Sequence, residues 1–488
     1  MSLILGRKTE RPIAGGFVND SFPLGHRLRD RARFGSPGQQ LRVPVVIIGG
    51  GIAGLSAAWY LDKRAFHDFV LLEMESQAGG NSRWGENEIS RFPWAAHYVP
   101  VPAKGVSLAR ELFEELGVLR DGKWDDRALC FDPQERLFIY GRWQEGLEPE
   151  NATPQEAEQY RRFAGRISEF RATGQFTIPM ERGATPSPLD RMSMADWLAN
   201  ERFDSPTLRW YVNYACRDDY GALARDTSAW AGIHYFASRE PEEKGPLTWP
   251  EGNGWIAQRL IDKLKRYIRN GTPAYRVTED KTKVRIFTEQ TEYIADRLIF
   301  AAPTFLAQYL IEGAPRVEGF QYSPWLTANL TLDRLPVQKG AEPAWDNVIY
   351  DSPTLGYVNA THMSVRSHVD RTVWTFYWSL AEHTPTESRQ LLLAKDWNYW
   401  KEAILNDLAR AHPDIRQCVS HIDMMRIGHA MVRPAPGFLF SADRAHWKKP
   451  LGNIYFANSD LSGFSIFEEA QYRGVEAARR ALHELGRE

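Results

Sequence analysis

A run of branched apolar residues that leads straight into three glycines is the feature that most constrains this fold. Val45–Ile48 (VVII) is predicted to be a strand buried on both faces of a parallel sheet. The pattern Gly49-x-Gly51-x-x-Gly54 follows at once, and residues 55–61 continue as a helix. Gly49 permits a tight turn, Gly51 lets the backbone approach a pyrophosphate, and Gly54 lets helix and strand pack closely. The stretch therefore predicts a phosphate-binding turn at the start of a helix.

The next apolar run ends in a carboxylate where a dinucleotide needs one. Residues 69–72 are predicted to be the second strand, and Glu73 follows them. A carboxylate at this place can accept hydrogen bonds from both hydroxyls of an adenosine ribose, and it repels a 2′-phosphate. Because strand, glycines, helix and acid occur together at this spacing, a dinucleotide site is favoured over a glycine-rich turn without a ligand.

Two further segments favour FAD over NAD. A second glycine pair, GGNSR (79–83), lies where backbone can reach the pyrophosphate and the flavin edge. Near the carboxyl end, residues 452–460 read as a last strand that ends in Asp460, and residues 467–482 read as a helix. Asp460 can bond ribityl hydroxyls or the pyrophosphate, and the N–H groups near Phe467 can stabilise the anion of a reduced flavin pyrimidine. The predicted cofactor-binding residues are Gly49, Gly51, Ala53, Gly54, Glu73, Gly79, Gly80, Asn81, Ser82, Ala274, Asp460 and Phe467.

Taken together, these segments resemble the flavin-containing amine oxidase superfamily. The likeness rests on GGGIAGLSAAWYL (49–61), Glu73, GGNSR and the terminal stretches IYFANSD and FEEAQYRGVEAARRAL. IAGGFVNDSFPLGHRLRD (13–30) and the ANSD of 457–460 are most similar to bacterial spermidine dehydrogenases. The resemblance implies an FAD cofactor, an amine substrate and a bacterial flavoprotein.

The resemblance also implies an α/β fold with discontinuous domains. A Rossmann-like FAD-binding domain of the amine-oxidase (GR2) type is expected, with an inserted α+β substrate domain of mixed sheet and helices. The expected boundaries are 1–40 for an amino-terminal arm, 41–105, 246–312 and 416–488 for the FAD-binding domain, and 106–245 and 313–415 for the substrate domain. Within them a helix is expected over 255–268 and strands over 274–277, 283–287, 298–302, 325–332 and 371–380.

Amine oxidation by a flavin removes a hydride from the carbon next to nitrogen and delivers it to flavin N5. A cationic amine needs carboxylates to attract it and aromatic faces to hold it. Asp218, Asp219 and Tyr220 supply both groups next to a chain reversal at Gly221. The competing interpretation is that the two carboxylates cap a helix and pair with Arg217.

Three more residues are candidates for the catalytic site. His97, just past the second glycine pair, and His429, just before the last cofactor strand, are possible proton acceptors, although a lone histidine is more often structural. Trp374 shares a strand face with Phe376 and Trp378. That face is either a platform opposite the flavin or part of the core.

Two positions depart from the family pattern. Many amine oxidases carry a lysine that binds a water at flavin N5, and the alignment puts Gln308 there. They also place an aromatic residue before the last helix as half of a cage around the amine, and Ile466 falls there, between Phe464 and Phe467. The loss of the lysine makes a dehydrogenase with another acceptor as plausible as an oxidase.

Charge and composition exclude several classes of function. The formal charge is −2, from 60 basic and 62 acidic residues, so nothing favours nucleic acid. Cys130, Cys216 and Cys418 form no metal-binding motif, no metal is expected, and no apolar stretch is long enough to span a bilayer. The chain reads as soluble and cytoplasmic, or periplasmic if a signal has been removed. Arginines alternate in the arm at Arg27, Arg29, Arg31 and Arg33, which favours a solvated or salt-bridged face over a partner patch.

The leading interpretation is an FAD-dependent oxidoreductase of an amine, with polyamines such as spermidine the first choice. Its electron acceptor stays open among oxygen, a quinone and a haem protein, and a homo-oligomer is possible. One alternative is a desaturase or isomerase of an apolar substrate, which predicts an apolar tunnel without buried carboxylates. The other alternative is a redox-silent flavoprotein that acts as a partner-binding subunit.

Overall fold

The computed structural model describes residues 12–18, 21–30, 33–239, 245–280, 282–365 and 368–487. The strands are β1 (Ala14–Phe17), β2 (Gln39–Arg42), β3 (Val45–Ile48), β4 (Phe69–Leu72), β5 (Trp84–Glu86), β6 (Arg91–Pro93), β7 (Leu119–Arg120), β8 (Lys123–Trp124), β9 (Glu135–Ile139), β10 (Arg142–Glu145), β11 (Ile268–Arg269), β12 (Arg276–Glu279), β13 (Val284–Phe287), β14 (Thr291–Ala295), β15 (Arg297–Phe300), β16 (Tyr322–Leu332), β17 (Asp346–Ile349), β18 (Tyr357–Asn359), β19 (Thr372–Trp378), β20 (Val419–Val432) and β21 (Ile454–Phe456). The helices are α1 (Phe22–Arg29), α2 (Ile52–Lys63), α3 (Ser107–Glu115), α4 (Pro154–Ala172), α5 (Met194–Asn200), α6 (Pro206–Tyr220), α7 (Ala229–Ala237), α8 (Gly254–Leu264), α9 (Ala307–Leu310), α10 (Pro385–Ala394), α11 (Trp397–Leu408), α12 (Ile415–Cys418), α13 (Ala442–Trp447) and α14 (Phe467–Glu484).

A five-stranded parallel sheet, in the order β11-β4-β3-β15-β21, is the centre of one half of the molecule. Val45 and Ile47 point into a core shared with α2, α8 and α14. Val46 and Ile48 point the other way, into a core shared with the small sheet β12-β13-β14-β2. Because layers cover both faces, all four side chains are at most 6% exposed. The run of branched residues therefore does form a strand buried on both sides, and the α/β class is confirmed.

An eight-stranded mixed sheet, in the order β1-β20-β16-β19-β18-β17-β9-β10, is the centre of the other half. The core on one face of this sheet includes side chains of α11. The core on the opposite face includes Trp210 and Tyr214 of α6. Helices α4 to α7 form a further layer around a second apolar core, to which α6 also contributes side chains. This arrangement is the mixed sheet with helices that the resemblance implies.

The sheet pairings cut across some of the expected domain boundaries. The boundary at 416 assigns β20 to the cofactor domain, whereas β20 pairs with β16 inside the eight-stranded sheet. The expected amino-terminal arm is not one unit, because β1 pairs with β20 and β2 pairs with β14. The division into domains itself stays a prediction.

Local predictions near the cofactor sheet differ from the structure by a few residues. The helix expected over 255–268 ends at Leu264, because Ile268 and Arg269 pair with β4 and extend the parallel sheet. In the arm, Arg27 lies 3.4 Å from Glu289, and Arg29 bonds Asp30. Arg33 is described but Arg31 lies outside the described residues.

The three cysteines are free and buried. Within the described ranges, no helix is both long and apolar enough to cross a membrane.

Candidate functional site

The glycine turn after β3 lines a cavity at the carboxyl ends of the parallel strands. Gly49 has φ +104°, and a Cβ there would lie 2.8 Å from the backbone nitrogen of Ala302. A Cβ on Gly54 would lie 1.9 Å from the carbonyl oxygen of Gly49. Only glycine fits either position, so the turn brings bare backbone to the cavity, which we call the cofactor cavity.

Glu73 follows β4, also lines the cofactor cavity and is 8% exposed. Its Oε2 accepts the backbone N–H of Gly50 at 2.6 Å, and its Oε1 accepts that of Glu75 at 2.8 Å. Burial raises the pKa of this carboxyl, although the two N–H groups oppose the rise. Each oxygen keeps a further lone pair, so the side chain can still accept bonds from ribose hydroxyls.

The second glycine pair lies directly against the first. Gly79 donates its N–H to the Gly50 carbonyl at 2.7 Å, and a Cβ on Gly80 would lie 3.0 Å from Gly51 Cα. Asn81 reaches across to donate to the Ala430 carbonyl at 2.7 Å, beside His429 on β20. The glycine turn and the second glycine pair therefore bring two stretches of backbone to the same wall of the cavity.

The start of α14 lies on this cavity together with the start of α2. The N-cap residues, Gly51 for α2 and Ile466 for α14, make no side-chain capping bond. No N-cap side chain therefore competes with a ligand for the first N–H groups of either helix, and negative charge is stabilised at such helix starts. The helices cross so closely that a Cβ on Gly474 would lie 2.0 Å from the Ala53 carbonyl oxygen.

Asp460 lies on the cavity wall but is already bonded within the protein. Its Oδ2 accepts the Thr304 N–H at 2.8 Å and the Tyr322 hydroxyl at 2.6 Å, and its Oδ1 accepts the Thr304 hydroxyl at 2.7 Å. Burial raises its pKa, and these donors oppose the rise. The structure thus ties β15, β16 and β21 together through this carboxyl, and a direct bond to the cofactor stays a prediction.

The cofactor cavity brings together most of the predicted cofactor residues, while Gly54 lies beneath the turn. Those on its wall are Gly49, Gly51, Ala53, Glu73, Gly79, Gly80, Asn81, Ser82, Ala274, Asp460 and Phe467.

A second cavity, the inner cavity, opens from the α14 end of the first. Asn81, Ala96, Ser465, Ile466 and Phe467 line both cavities. The further walls of the inner cavity include His97, Tyr98, Asp218, Asp219, Arg239, Trp325 and Tyr377. The predicted pair of aspartates therefore lies next to the α14 end of the cofactor cavity.

The two aspartates share one tyrosine but only Asp219 has a cationic partner. Arg239 bonds Asp219 at 3.1 and 3.2 Å. The Tyr98 hydroxyl lies 3.3 Å from Asp218 Oδ2 and 3.4 Å from Asp219 Oδ1, so its one proton goes to one of them. Burial, followed by repulsion from Asp219, raises the pKa of Asp218 to about 7. Burial also raises the pKa of Asp219, against the opposing effect of Arg239.

The competing interpretation, in which these carboxylates pair with Arg217, is wrong. Arg217 points to the opposite side of α6, where it donates to the carbonyls of Ser352 at 2.9 Å and Thr354 at 3.4 Å. Arg239, whose role the sequence did not reveal, is the partner.

His97 sits among aromatic rings on the wall of the inner cavity. Its ring stacks on Tyr377 at 4.6 Å and contacts Tyr98 at 5.0 Å and Trp345 at 5.5 Å between centroids. Burial lowers its pKa to about 4, so the imidazole is neutral at physiological pH. It therefore adds no positive charge to the inner cavity.

Beyond Asp218 and Arg239 the inner cavity continues into a third, the outer cavity. Two carboxylates that the sequence did not single out line it, Glu135 at the start of β9 and Asp346 at the start of β17. Tyr214 donates to Asp346 Oδ2 at 3.3 Å. Burial, then Asp218 and Glu135, raise the pKa of Asp346 well above its usual value. Burial likewise raises the pKa of Glu135.

Two predicted catalytic residues lie in packed core instead of on these cavities. Tyr220 is 1% exposed and donates its hydroxyl to the Ala231 carbonyl at 2.8 Å. Trp374 stacks on Tyr357 at 3.8 Å, on the face of β19 that packs against α11. The opposite face of β19 lines the inner cavity through Tyr377, whose hydroxyl donates to the Ala95 carbonyl at 2.9 Å.

His429 lies on the wall of the cofactor cavity, stacked on Phe305 at 4.3 Å. Burial, then Arg389 and His26, lower its pKa to about 4. Its position is compatible with contact to a cofactor, and a catalytic role stays a prediction.

The alignment of Gln308 with the N5-water lysine is not supported by its position. Gln308 accepts the Val317 N–H at 3.3 Å, donates to the Phe305 carbonyl at 3.1 Å and lines a different, external pocket. The argument against an oxidase from this residue therefore loses its basis.

Ile466 does line the inner cavity, whereas Phe464 is buried against His234 at 4.5 Å between centroids. Among the residues that the structure places, no cluster of three or more His, Cys, Asp or Glu could hold a metal ion.

The sequence matches the family described as flavin containing amine oxidoreductase over residues 52–482. No curated protein sequence matches the chain.

Solved structures share its fold at low identity. Wild-type putrescine oxidase bound to putrescine is 16% identical with a TM-score of 0.70, covering 91% of this chain and 100% of its own. Cyclohexylamine oxidase from Brevibacterium oxydans is 16% identical with a TM-score of 0.69, covering 91% and 99%. A fatty acid isomerase from P. acnes is 16% identical with a TM-score of 0.63, covering 90% and 98%. At this identity the likeness shows the fold alone.

Proposed function

Because the chain belongs to the family of flavin-containing amine oxidoreductases, we propose that it oxidises an amine with more than one cationic nitrogen, a polyamine such as spermidine. The observation that carries the proposal is a row of carboxylates along one continuous path away from the cofactor cavity. Asp218 and Asp219 line its inner part, and Glu135 and Asp346 line its outer part. Arg239 is the single arginine or lysine on these two walls in the described part of the chain.

FAD is the cofactor, and the residues of the cofactor cavity fit it. In this proposal Glu73 would hold the adenosine ribose, the glycine turn and the second glycine pair would hold the pyrophosphate, and the start of α14 at Phe467 would face the flavin end. Bound FAD supplies a hydride acceptor at flavin N5.

The residues of the inner cavity hold the amine and manage its proton. Ionised Asp218 attracts an ammonium group, since Asp219 is already paired with Arg239. Hydride removal requires a neutral nitrogen at the reacting carbon, so one proton must leave the substrate. Asp218, whose pKa is raised to about 7, is better matched to that task at neutral pH than His97, whose pKa is lowered to about 4.

The outer cavity favours a polyamine over a monoamine. Glu135 and Asp346 lie on the far side of Asp218 from the cofactor cavity. A monoamine bound at Asp218 has no second cationic group that could reach them, whereas a polyamine has one. Tyr214, Tyr235 and Trp345 add aromatic surface that suits alkyl chains and cationic groups. The alternative of an apolar substrate predicts a tunnel without buried carboxylates, and these walls favour the amine.

The first test is the loss of the oxidised flavin band when purified holoenzyme is mixed anaerobically with amines. We expect spermidine and putrescine to bleach the band at lower concentrations than n-butylamine does. Failure of every primary and secondary amine to bleach it would overturn the proposal.

Substitution of the outer carboxylates tests the polyamine assignment. Glu135→Gln and Asp346→Asn should each lower kcat/KM for spermidine about ten- to a hundredfold, because each removes a charge-assisted contact. The same variants should leave kcat/KM for n-butylamine within about twofold. Glu145→Gln, which changes an exposed carboxylate of β10, is the matched control and should change neither value. Equal losses for both amines would argue against a second cationic contact.

A further inference from the structure

The amino-terminal segment, residues 12–18 and 21–30, is fastened to the substrate half of the molecule at one end. Strand β1 adds to the edge of β20 in parallel register. Gly15 has φ +134°, and a Cβ there would lie 1.9 Å from the Ile422 carbonyl oxygen. The Arg426 guanidinium lies 3.9 Å above the Phe17 ring and 5.0 Å above the Phe22 ring. These contacts fix the segment on both sides of residues 19–20.

The same segment contacts the chain next to the cofactor acid. The Ser21 hydroxyl donates to Glu75 Oε2 at 2.5 Å, two residues after Glu73. Glu75 in turn lies 3.5 Å from Arg83, which directly follows the second glycine pair and its turn. The start of α1 is therefore bonded to the loop that follows β4.

Leu28 then places α1 on the cofactor cavity itself. Its side chain is 6% exposed and packs in the core that contains Ile48 and Leu72, the last residues of β3 and β4. Leu28 and Leu310 line the cofactor cavity, and Leu28 shares its core with Ala274 and with Leu72, the residue before Glu73. The same two leucines line an external pocket whose other walls include Phe34 and Tyr275. The two leucines therefore separate the ribose end of the cofactor cavity from the outside.

We propose that the amino-terminal segment is a cofactor-retaining strap, in which Leu28 closes the adenosine end of the FAD cavity and Ser21 anchors α1 beside Glu73. FAD that enters the cavity at this end must pass Leu28, so the strap sets how slowly the cofactor leaves. Leu28 is a positioning residue, and it takes no part in the redox reaction. The inference rests on FAD binding and is independent of which amine is oxidised.

The test compares Leu28→Ala with the wild-type holoenzyme. Removing the leucine side chain joins the cofactor cavity to the external pocket, and we expect FAD to be released about tenfold faster. Release is followed by the rise in flavin fluorescence after dilution. The melting temperature of the apoprotein should fall, because a buried leucine is truncated, and that of the holoenzyme should fall further, because the increase in melting temperature on adding FAD shrinks. The visible spectrum of the bound flavin should not change, since the isoalloxazine lies at the other end.

Two further variants make the result decisive. Ser21→Ala removes the hydroxyl that bonds Glu75 without touching the core, and it should speed FAD release to an intermediate degree. Arg29→Ala changes an exposed side chain of α1 whose hydrogen bonds to described residues go to its neighbour Asp30, and it should release FAD at the wild-type rate. Wild-type release rates for both Leu28→Ala and Ser21→Ala would overturn the proposal. So would equal losses of melting temperature in apoprotein and holoenzyme with unchanged release.

Discussion

At the scale of single residues, the charge state of Asp218 controls whether the inner cavity attracts a cation. Its pKa is raised to about 7, so the carboxyl is protonated below that pH and ionised above it. We therefore expect kcat/KM for spermidine to rise as pH increases through about 7. Deprotonation of the substrate nitrogen adds its own pH dependence to this rising limb of the profile. Measured between pH 5 and 9, Asp218→Asn should lack this limb. Asp204→Asn, an exposed carboxylate just before α6, should retain it. If kcat/KM of Asp218→Asn still rises through pH 7, the rise belongs to another titrating group.

Residue spacing along an element explains which charge partners the sequence could predict. Asp218 and Asp219 were recognised because two adjacent carboxylates near an aromatic residue are unusual. Their partner was not, because consecutive helical residues point about 100° apart. Arg217 therefore reaches the carbonyls of Ser352 and Thr354, and the partner Arg239 comes from beyond the next helix.

At the scale of elements, the crossing of α2 and α14 holds two uncapped helix starts on one cavity. Gly474→Ala would put a Cβ 2.0 Å from the Ala53 carbonyl oxygen, so the helices would have to separate. We expect a lower melting temperature and at least a tenfold loss of FAD affinity, because both sets of N–H groups move away from the phosphates. Gly165→Ala is the control, since a Cβ at this α4 glycine meets nothing within 4 Å. It should keep FAD affinity unchanged and stabilise the protein slightly. Unchanged FAD binding in Gly474→Ala would refute the convergence of the helix starts.

The cofactor elements were predictable because their signals are local. A strand, three glycines, a helix and an acid lie within residues 45–73, and each has a steric or electrostatic requirement. Strand β19 shows where local signals stop. The alternation in its sequence separates Trp374 from Tyr377, but period two does not tell which face meets the site. Only the packing of α11 on one face decides that Trp374 is core and that Tyr377 faces the cavity.

At the scale of the whole molecule, the polar path from the cofactor is assembled from distant parts of the chain. Glu135 belongs to β9, Asp218 to α6 and Asp346 to β17. Asp218 stands out in the sequence beside Asp219, but Glu135 and Asp346 look like ordinary polar residues, and only the sheet order brings β9 next to β17 beneath α6. The resemblance that predicted an amine could therefore not identify the residues that would select among amines.

Three carboxylates around one cavity repel one another, so the empty protein should hold protons there that a bound cation expels. Burial and mutual repulsion raise the pKa values of Asp218, Asp346 and Glu135. A dication beside them lowers those pKa values again, and near pH 6.5 Asp218, whose pKa in the empty protein is about 7, then releases a proton. The probe is an α,ω-diguanidinoalkane, which carries two cationic groups and no amine for the flavin to oxidise.

Calorimetric titration of the holoenzyme with this probe at pH 6.5 in phosphate and in Bis-Tris, which both buffer there and differ in ionisation enthalpy, measures the protons released. We expect about one proton per bound dication, seen as a difference in apparent binding enthalpy between the two buffers, because the buffer takes up what the protein loses. At pH 9, in two buffers that hold that pH and differ in ionisation enthalpy, Asp218 with its pKa of about 7 is already ionised, and its share of the difference should vanish. A monoguanidinoalkane of the same length, which reaches only one part of the path, should release less. Equal enthalpies in both buffers at pH 6.5 would mean that the carboxylates are ionised before the cation arrives, and the path would then attract polyamines without any proton exchange.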